Sequence, residues 1–203
     1  MKIPSNRKLL MLAGSLIGIA IATLGCASTE MTSTWTDPSA KGSELSKIAV
    51  ICMTKDEGMR RMAEDTAASQ LAVAQATPSY QVLGDVDLHD AQAVKSKLQS
   101  QGFQGVLIMR LTRVDERVTA VDGPYGTFDG YYAWADPMVY GPGYLETDTL
   151  VHVISNLYSL KEGDGKLIWS GASQTFDPAS AKSVVSGVSK AVAKSIQKDR
   201  LVV

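Results

Sequence analysis

Cysteine, histidine and runs of like charge are scarce in this 203-residue chain. Its two cysteines, Cys26 and Cys52, allow one disulfide at most, which excludes a small domain stapled by bridges. Its two histidines, His89 and His152, confine imidazole chemistry to two places. Twenty Lys and Arg stand against 21 Asp and Glu with no basic run, for a formal net charge of −1. That balance suits neither nucleic acid nor anionic lipid headgroups. No G-x-S-x-G elbow, phosphate loop or dinucleotide fingerprint occurs. Ser195 and Lys198 have the S-x-x-K spacing of acylating serine enzymes, but the companion motifs are missing and the pair ends a terminal helix, so the match reads as coincidence. No catalytic residue is assigned from these patterns.

What is present begins at the N-terminus. Lys2, Arg7 and Lys8 precede an apolar stretch from Leu9 to Leu24, and the small residues Gly25, Cys26, Ala27 and Ser28 follow. Basic, apolar, small is the order of an export signal, and the apolar stretch is shorter than the ~20 residues of a spanning helix. Thr23-Leu24-Gly25-Cys26 resembles the bacterial lipobox, in which cleavage leaves a diacylated cysteine at the new N-terminus. It departs from that pattern in having Thr23 where Leu is preferred. Ordinary cleavage after Ala27, or retention of the segment as an anchor, are the alternatives. The lipobox resemblance implies no cofactor but does imply diacylglycerol and an N-acyl chain, of the palmitate type, on Cys26. Ala27 stands where an Asp would resemble an inner-membrane retention signal, which implies an outer-membrane anchor with the domain facing the periplasm. Removing residues 1–25 leaves 178 residues and a formal charge of −4, enough chain for one domain with its own core.

Residues 26–44, rich in Ser and Thr with Asp37-Pro38 and Gly42, read as a lipidated tether, with Trp35 docking on the domain surface. The domain then occupies residues 45–203. Ile48–Met53 is apolar without interruption, as in a strand covered on both faces, and Cys52 within it reads as a buried thiol. Thr54 to Glu57 has capping-box spacing, and Met59, Met62, Ala63, Ala67, Leu71 and Ala74 follow at helical intervals as core filler. Tyr80–Leu83 is a short strand candidate. Leu88, Ala91, Val94 and Leu98 make a second helical stripe closed by Gly102. Gly105–Leu111 reads as a buried strand that turns polar on its way to Val121. Thr149–Leu160 and Lys166–Phe176 make a hairpin around Glu162-Gly163-Asp164-Gly165. Asp177 and Pro178 are placed as the start of a last helix carrying Val184, Val188, Val192 and Ile196. The order β-α-β-α-β, loop, β-β-α predicts an α/β (α+β) fold, with a single mixed sheet of about five strands and helices packed on it.

Residues 122–146 differ from the rest. This Gly/Tyr-rich loop carries Tyr125, Phe128, Tyr131, Tyr132, Trp134, Tyr140 and Tyr144. Such rings suit a protein interface or the stacking of a glycan, and they equally suit folding back onto a sheet face. Asp85, Asp87, His89 and Asp90 form the one acid–imidazole run. It is a weak candidate for a metal, and it also suits the start of a helix.

Trp35-Thr36-Asp37-Pro38, the loop, Thr149-Leu150-Val151, Leu157-Tyr158-Ser159-Leu160 and Gly165-Lys166-Leu167-Ile168-Trp169-Ser170-Gly171 together resemble bacterial lipoproteins of the DUF4136 family. Ser159 and Ser170 stand where that family often has Asp and Arg. The resemblance implies an α/β envelope domain and carries no activity with it. The resulting expectation is a non-catalytic module that reaches the membrane through its lipid and meets an envelope protein or a peptidoglycan-type glycan through the loop. An envelope hydrolase with a site near His89 or His152 is the alternative, and an oligomer-forming structural component is a third.

Overall fold

The computed structural model describes residues 28–120, 128–129, 132–133, 145–161 and 165–203. Six strands form one mixed sheet: β1 (Ser28–Thr36), β2 (Lys47–Met53), β3 (Gln75–Pro78), β4 (Gly105–Ala120), β5 (Leu145–Ser159) and β6 (Lys166–Phe176), in the order β1-β6-β5-β4-β2-β3. The half from β1 to β4 is antiparallel, while β2 runs parallel to both β4 and β3. The helices are α1 (Glu57–Gln70), a single turn α2 (Ser79–Val82), α3 (Ala91–Ser100) and α4 (Ala181–Lys198). No helix among the described residues is long and apolar enough to cross a membrane.

The alternation of β2 explains the layering. Ile48 and Val50 face a core shared with Ala67 of α1, Leu71 at its C-terminal cap, and Val188, Val192 and Ile196 of α4. Ala49 and Ile51 face a smaller core with Val94 and Leu98 of α3. An unbroken apolar strand is what two covered faces demand. The coverage is unequal, however. Two long helices close one face, whereas the α3 core reaches only as far as Tyr158 and Leu160 at the end of β5. Trp169 is fully buried in the larger core, and Gly171 leaves room for it, since a Cβ there would run into the Trp169 ring and Met31. The Lys166–Gly171 motif therefore does packing work.

The mixed sheet and its helices match the sequence reading, with differences in detail. The strand read at Tyr80–Leu83 is instead the helical turn α2, and the strand lies just upstream as β3. Glu64 supplies the reason. Its buried carboxylate accepts from Ser79 Oγ at 2.7 Å and Tyr80 N at 3.3 Å, which bends the chain inward directly after Pro78. It also accepts from Cys52 N at 3.0 Å, where β3, which pairs with β2 only as far as Val50, supplies no carbonyl. The cap of α1 is Asp56, which accepts from Met59 N at 2.9 Å; Thr54 accepts from Asp56 N instead. Gly102 does follow α3 with φ +77°, as a helix-ending glycine should. Asp177, at φ +41°, turns the chain out of β6, and Ser180 caps α4 through a reciprocal pair with Ser183.

The largest correction concerns the segment read as a tether. Ser28–Thr36 is the edge strand β1, antiparallel to β6 from Ser28↔Phe176 to Thr36↔Trp169. Alternate side chains turn toward α4, where Thr29 lies so close to Gly187 that a Cβ would overlap it. Thr36 donates to Asp199 at 2.6 Å, while Trp35 on the opposite face is half exposed beside Ser170. Asp37 then caps a 3-10 turn and pairs with Lys166 at 2.7 Å, which holds its carboxyl down to about 2. Serine and threonine suit an edge strand as well as a linker, and composition alone does not separate the two.

Two substitutions probe these contacts. Gly187→Val is expected to cost about 1–3 kcal/mol through overpacking against Thr29, read by urea unfolding; a neutral result would mean that residues 28–36 are undocked. Glu64→Ala strands the N–H groups of Cys52 and Tyr80 and the Ser79 hydroxyl, at a cost on the order of 3 kcal/mol. Glu64→Gln keeps an acceptor and should cost less.

Candidate functional site

β4 and β5 outrun the sheet. β2 accompanies β4 only as far as Arg110, and β6 accompanies β5 only from Leu150. From Glu116↔Thr149 to Ala120↔Leu145 no other described strand pairs with either of the two. Four residue steps make this arm about 14 Å long. At its base Thr112 forms a bulge between the pairs Leu111↔Val153 and Arg113↔His152, and its hydroxyl donates to the His152 carbonyl at 3.1 Å. A bulge bends and twists its strand, aiming what lies beyond it. Leu111 and Val114 are half exposed at this base.

The chain between the two strands carries the aromatic residues singled out in the sequence. Phe128 and Tyr132 stack with ring centroids 5.8 Å apart and planes 27° from parallel, and are 78% and 60% exposed. They face solvent and do not fold back onto the sheet. Tyr125, Tyr131, Trp134, Tyr140 and Tyr144 lie outside the described residues, as do Cys26 and residues 162–164.

The structure separates the polar candidates. Asp87 accepts from His89 N at 2.9 Å, and Asp90 is the N-cap of α3, accepting from Gln92 N and Ala93 N. The acids of this run therefore start a helix, and Asp85 is exposed in the preceding turn. Among the described residues no three His, Cys, Asp or Glu side chains gather as a metal site. His152 sits at the base of the arm, with Nε2 3.1 Å from Asp115 Oδ2 but off the line of a hydrogen bond; Asp115 also pairs with Arg113 at 2.8 Å. His89 lies just before α3 and lines a groove there, to which His152 does not contribute.

A second concave surface had no counterpart in the sequence reading. Where α3 leaves the sheet partly uncovered, a groove of about 690 Å³ opens between Val94 and Leu98 on one side and Ile51, Met53, Ile108 and Tyr158 on the other. Among the described residues its polar lining includes Lys55, His89, Gln92 and Lys95. It draws on β2, α3, β4 and β5, which are remote in sequence. The only hint was an apolar run in β2 that demanded cover on both faces.

Cys52 borders this groove, but its environment is that of a structural thiol. Burial, reinforced by the Glu64 carboxylate, pushes its pKa up to about 11. At pH 8 the folded protein should therefore hold about a hundredfold less thiolate than an ordinary cysteine and alkylate correspondingly slowly. Cys52 is half-buried rather than fully buried as the sequence suggested; mass-detected iodoacetamide labelling before and after denaturation measures the effect, and equal rates would contradict the raised pKa.

No family model matches the chain, so the DUF4136 resemblance finds no support there, and a search of curated proteins likewise finds no match. Solved structures give partial likenesses. One is the PelC dodecamer from Paraburkholderia phytofirmans, at 18% identity over 87% of this chain and 99% of that one, TM-score 0.42. Another is lipoprotein GNA1162 from Neisseria meningitidis, at 18% identity over 75% and 99%, TM-score 0.40. A third is TolB from Acinetobacter baumannii, at 14% identity over 85% of this chain and 31% of that one, TM-score 0.34. Likeness at this level concerns the arrangement of elements and transfers no role.

Proposed function

We propose that this protein is a cell-envelope lipoprotein, held to a membrane by acyl chains on Cys26, whose domain binds a partner and performs no catalysis. The signal-like N-terminus and the Cys26 context support the anchor, and the resemblance to DUF4136 lipoproteins points the same way. An outer-membrane location with the domain facing the periplasm belongs to the same proposal. A multiply acylated cysteine holds firmly, because each buried methylene contributes about 0.8 kcal/mol. β1 begins only two residues after Cys26, so the domain would sit close to the bilayer with little freedom to wander.

The observation that carries the binding reading is the arm. Two strands leave the sheet with only each other for support, and the chain they bracket shows two stacked aromatic rings to solvent. Large exposed rings on a projecting element fit a contact surface for an envelope protein or a glycan. The hydrolase alternative needs the acid run around His89 to meet His152; Asp87 and Asp90 of that run are spent on the turn and cap that start α3, and His152 is not among the residues lining the groove beside His89.

Replacing Phe128 and Tyr132 together by Ala should leave stability within about 0.5 kcal/mol and sharply reduce the neighbours captured by a photo-crosslinker placed at Asp129 in intact cells. Undiminished capture would overturn the contact role, and loss of folding would return the rings to the core.

A further inference from the structure

We propose that the arm meets the lipid bilayer itself: Phe128 and Tyr132 rest in the headgroup layer of the membrane that holds the anchor, and the domain stands on that end. This rests on the Cys26 anchor and on the arm as the contact element, and it names a zwitterionic lipid surface, ahead of a protein or a glycan, as what the rings touch.

The strand register places anchor and arm at one end of the sheet. Ser28 pairs with Phe176, Phe176 with Leu150 and Leu150 with Asp115, so these four lie in one row across β1, β6, β5 and β4. Each of those three pairings is antiparallel. β1 therefore runs opposite to β4, and its N-terminal end points the way β4 points as it leaves the sheet. Cys26 comes two residues before Ser28, a reach of about 7 Å at most. The arm continues past the same row for about 14 Å. Two steps of sheet twist incline it to β1 by roughly 45°, which still carries its end about 10 Å above Ser28. The leash is thus shorter than the arm, and a domain upright on its anchor brings the arm to the lipid.

The exposed apolar side chains favour the upright orientation. Phe176, 42% exposed, shares the row of Ser28. Val114 lies one row back, linked through Val151 and Thr175 to Thr29, and Leu111 lies in the row of Met31; both are just over half exposed. Together with Phe128 and Tyr132 they gather large apolar residues at the anchored end. Those exposed at the far end are scattered: Trp35 on β1, Val73 between α1 and β3, and Val203 at the C-terminus. Single exposed apolar residues are ordinary, whereas a collection at one end marks a contact surface. A domain lying on its side would instead press the β1 edge to the lipid, and with it the exposed Glu30, Thr32, Ser33 and Thr34. Charge then sets the depth. Glu116 and Arg117 are exposed on the arm, and Asp129 is exposed next to Phe128. Between Arg117 and His152 the sequence has acids but no Lys or Arg. Carboxylates stay out of hydrocarbon. The contact is therefore shallow, at the level where aromatic residues of membrane proteins collect, and the acids make zwitterionic headgroups a better surface than anionic ones.

The test uses the full chain as cells process it, carrying Cys52→Ser and one new cysteine, Asp129→Cys beside the rings or Val73→Cys at the far end, labelled with nitrobenzoxadiazole. The protein is reconstituted in phosphatidylcholine vesicles with brominated acyl chains, which quench a label only near the hydrocarbon boundary. Quenching at position 129 is expected to exceed that at position 73 by about threefold or more. Phe128→Ser with Tyr132→Ser should remove most of the difference and leave the unfolding midpoint unchanged. Replacing about a third of the lipid by phosphatidylglycerol should not raise the quenching. Equal quenching at the two positions, or quenching indifferent to loss of both rings, would overturn the proposal, as would a requirement for anionic lipid. A label shielded from aqueous iodide in native membranes but open to it in pure lipid vesicles would overturn it in favour of a membrane protein as the partner. Intact mass of the same sample reports the anchor separately. An unacylated chain with a quenched label would support the lipid contact and refute the Cys26 anchor alone, and an acylated chain with an unquenched label would refute the lipid contact alone.

Discussion

The pairing of β4 with β5 is the interaction on which the rest of this molecule depends. Near the start of β4 it sits at the centre of the sheet, with Leu107, Met109, Val153 and Leu157 buried beneath α1 and α4. Along the opposite face the same two strands supply Ile108 and Tyr158 to the groove floor. Further out they leave their neighbours and become the arm. A free two-stranded ribbon is marginal in water. This one persists because half its length is already fixed in a packed sheet, so extending it adds cross-strand pairs without a new nucleus. Core, groove and arm are thus three uses of one ladder.

Unequal cover of the sheet follows from the order of the helices. α1 and α4 pack on one face and on each other, while α3 alone serves the other. Glu64 makes the crowded side workable. A buried carboxylate is costly unless its oxygens are satisfied, and here three donors from β2 and the start of α2 satisfy them. The short strand β3 can therefore end at Pro78 without leaving Cys52 N unpaired. The thinly covered side shows no such device among the described residues, and some of its apolar side chains, Met53 among them, stay exposed.

Much of this was legible in the sequence because it rests on local patterns. The Ile48–Met53 run gives β2, the Val184 to Ile196 stripe gives α4, and Lys166–Phe176 gives β6 to the residue. The misreadings share a different cause: at each of them the decisive partner is distant in sequence. Tyr80 has a strand-forming side chain, but Glu64 decides its backbone. Ser28–Thr36 has the composition of a linker, but the open edge of β6 makes it a strand. The stacked pair Phe128 and Tyr132 fell within the loop that composition singled out. The groove did not announce itself, because no single segment holds more than a few of its residues.

With β1 starting at Ser28, the account has the domain resting almost directly on its anchor. Intact-mass measurement of the protein extracted from membranes addresses that most directly. The predicted result is a chain of residues 26–203 bearing a diacylglycerol and a third acyl chain on its first residue. An unmodified chain beginning at Ser28, or one that retains residues 1–25, would contradict it.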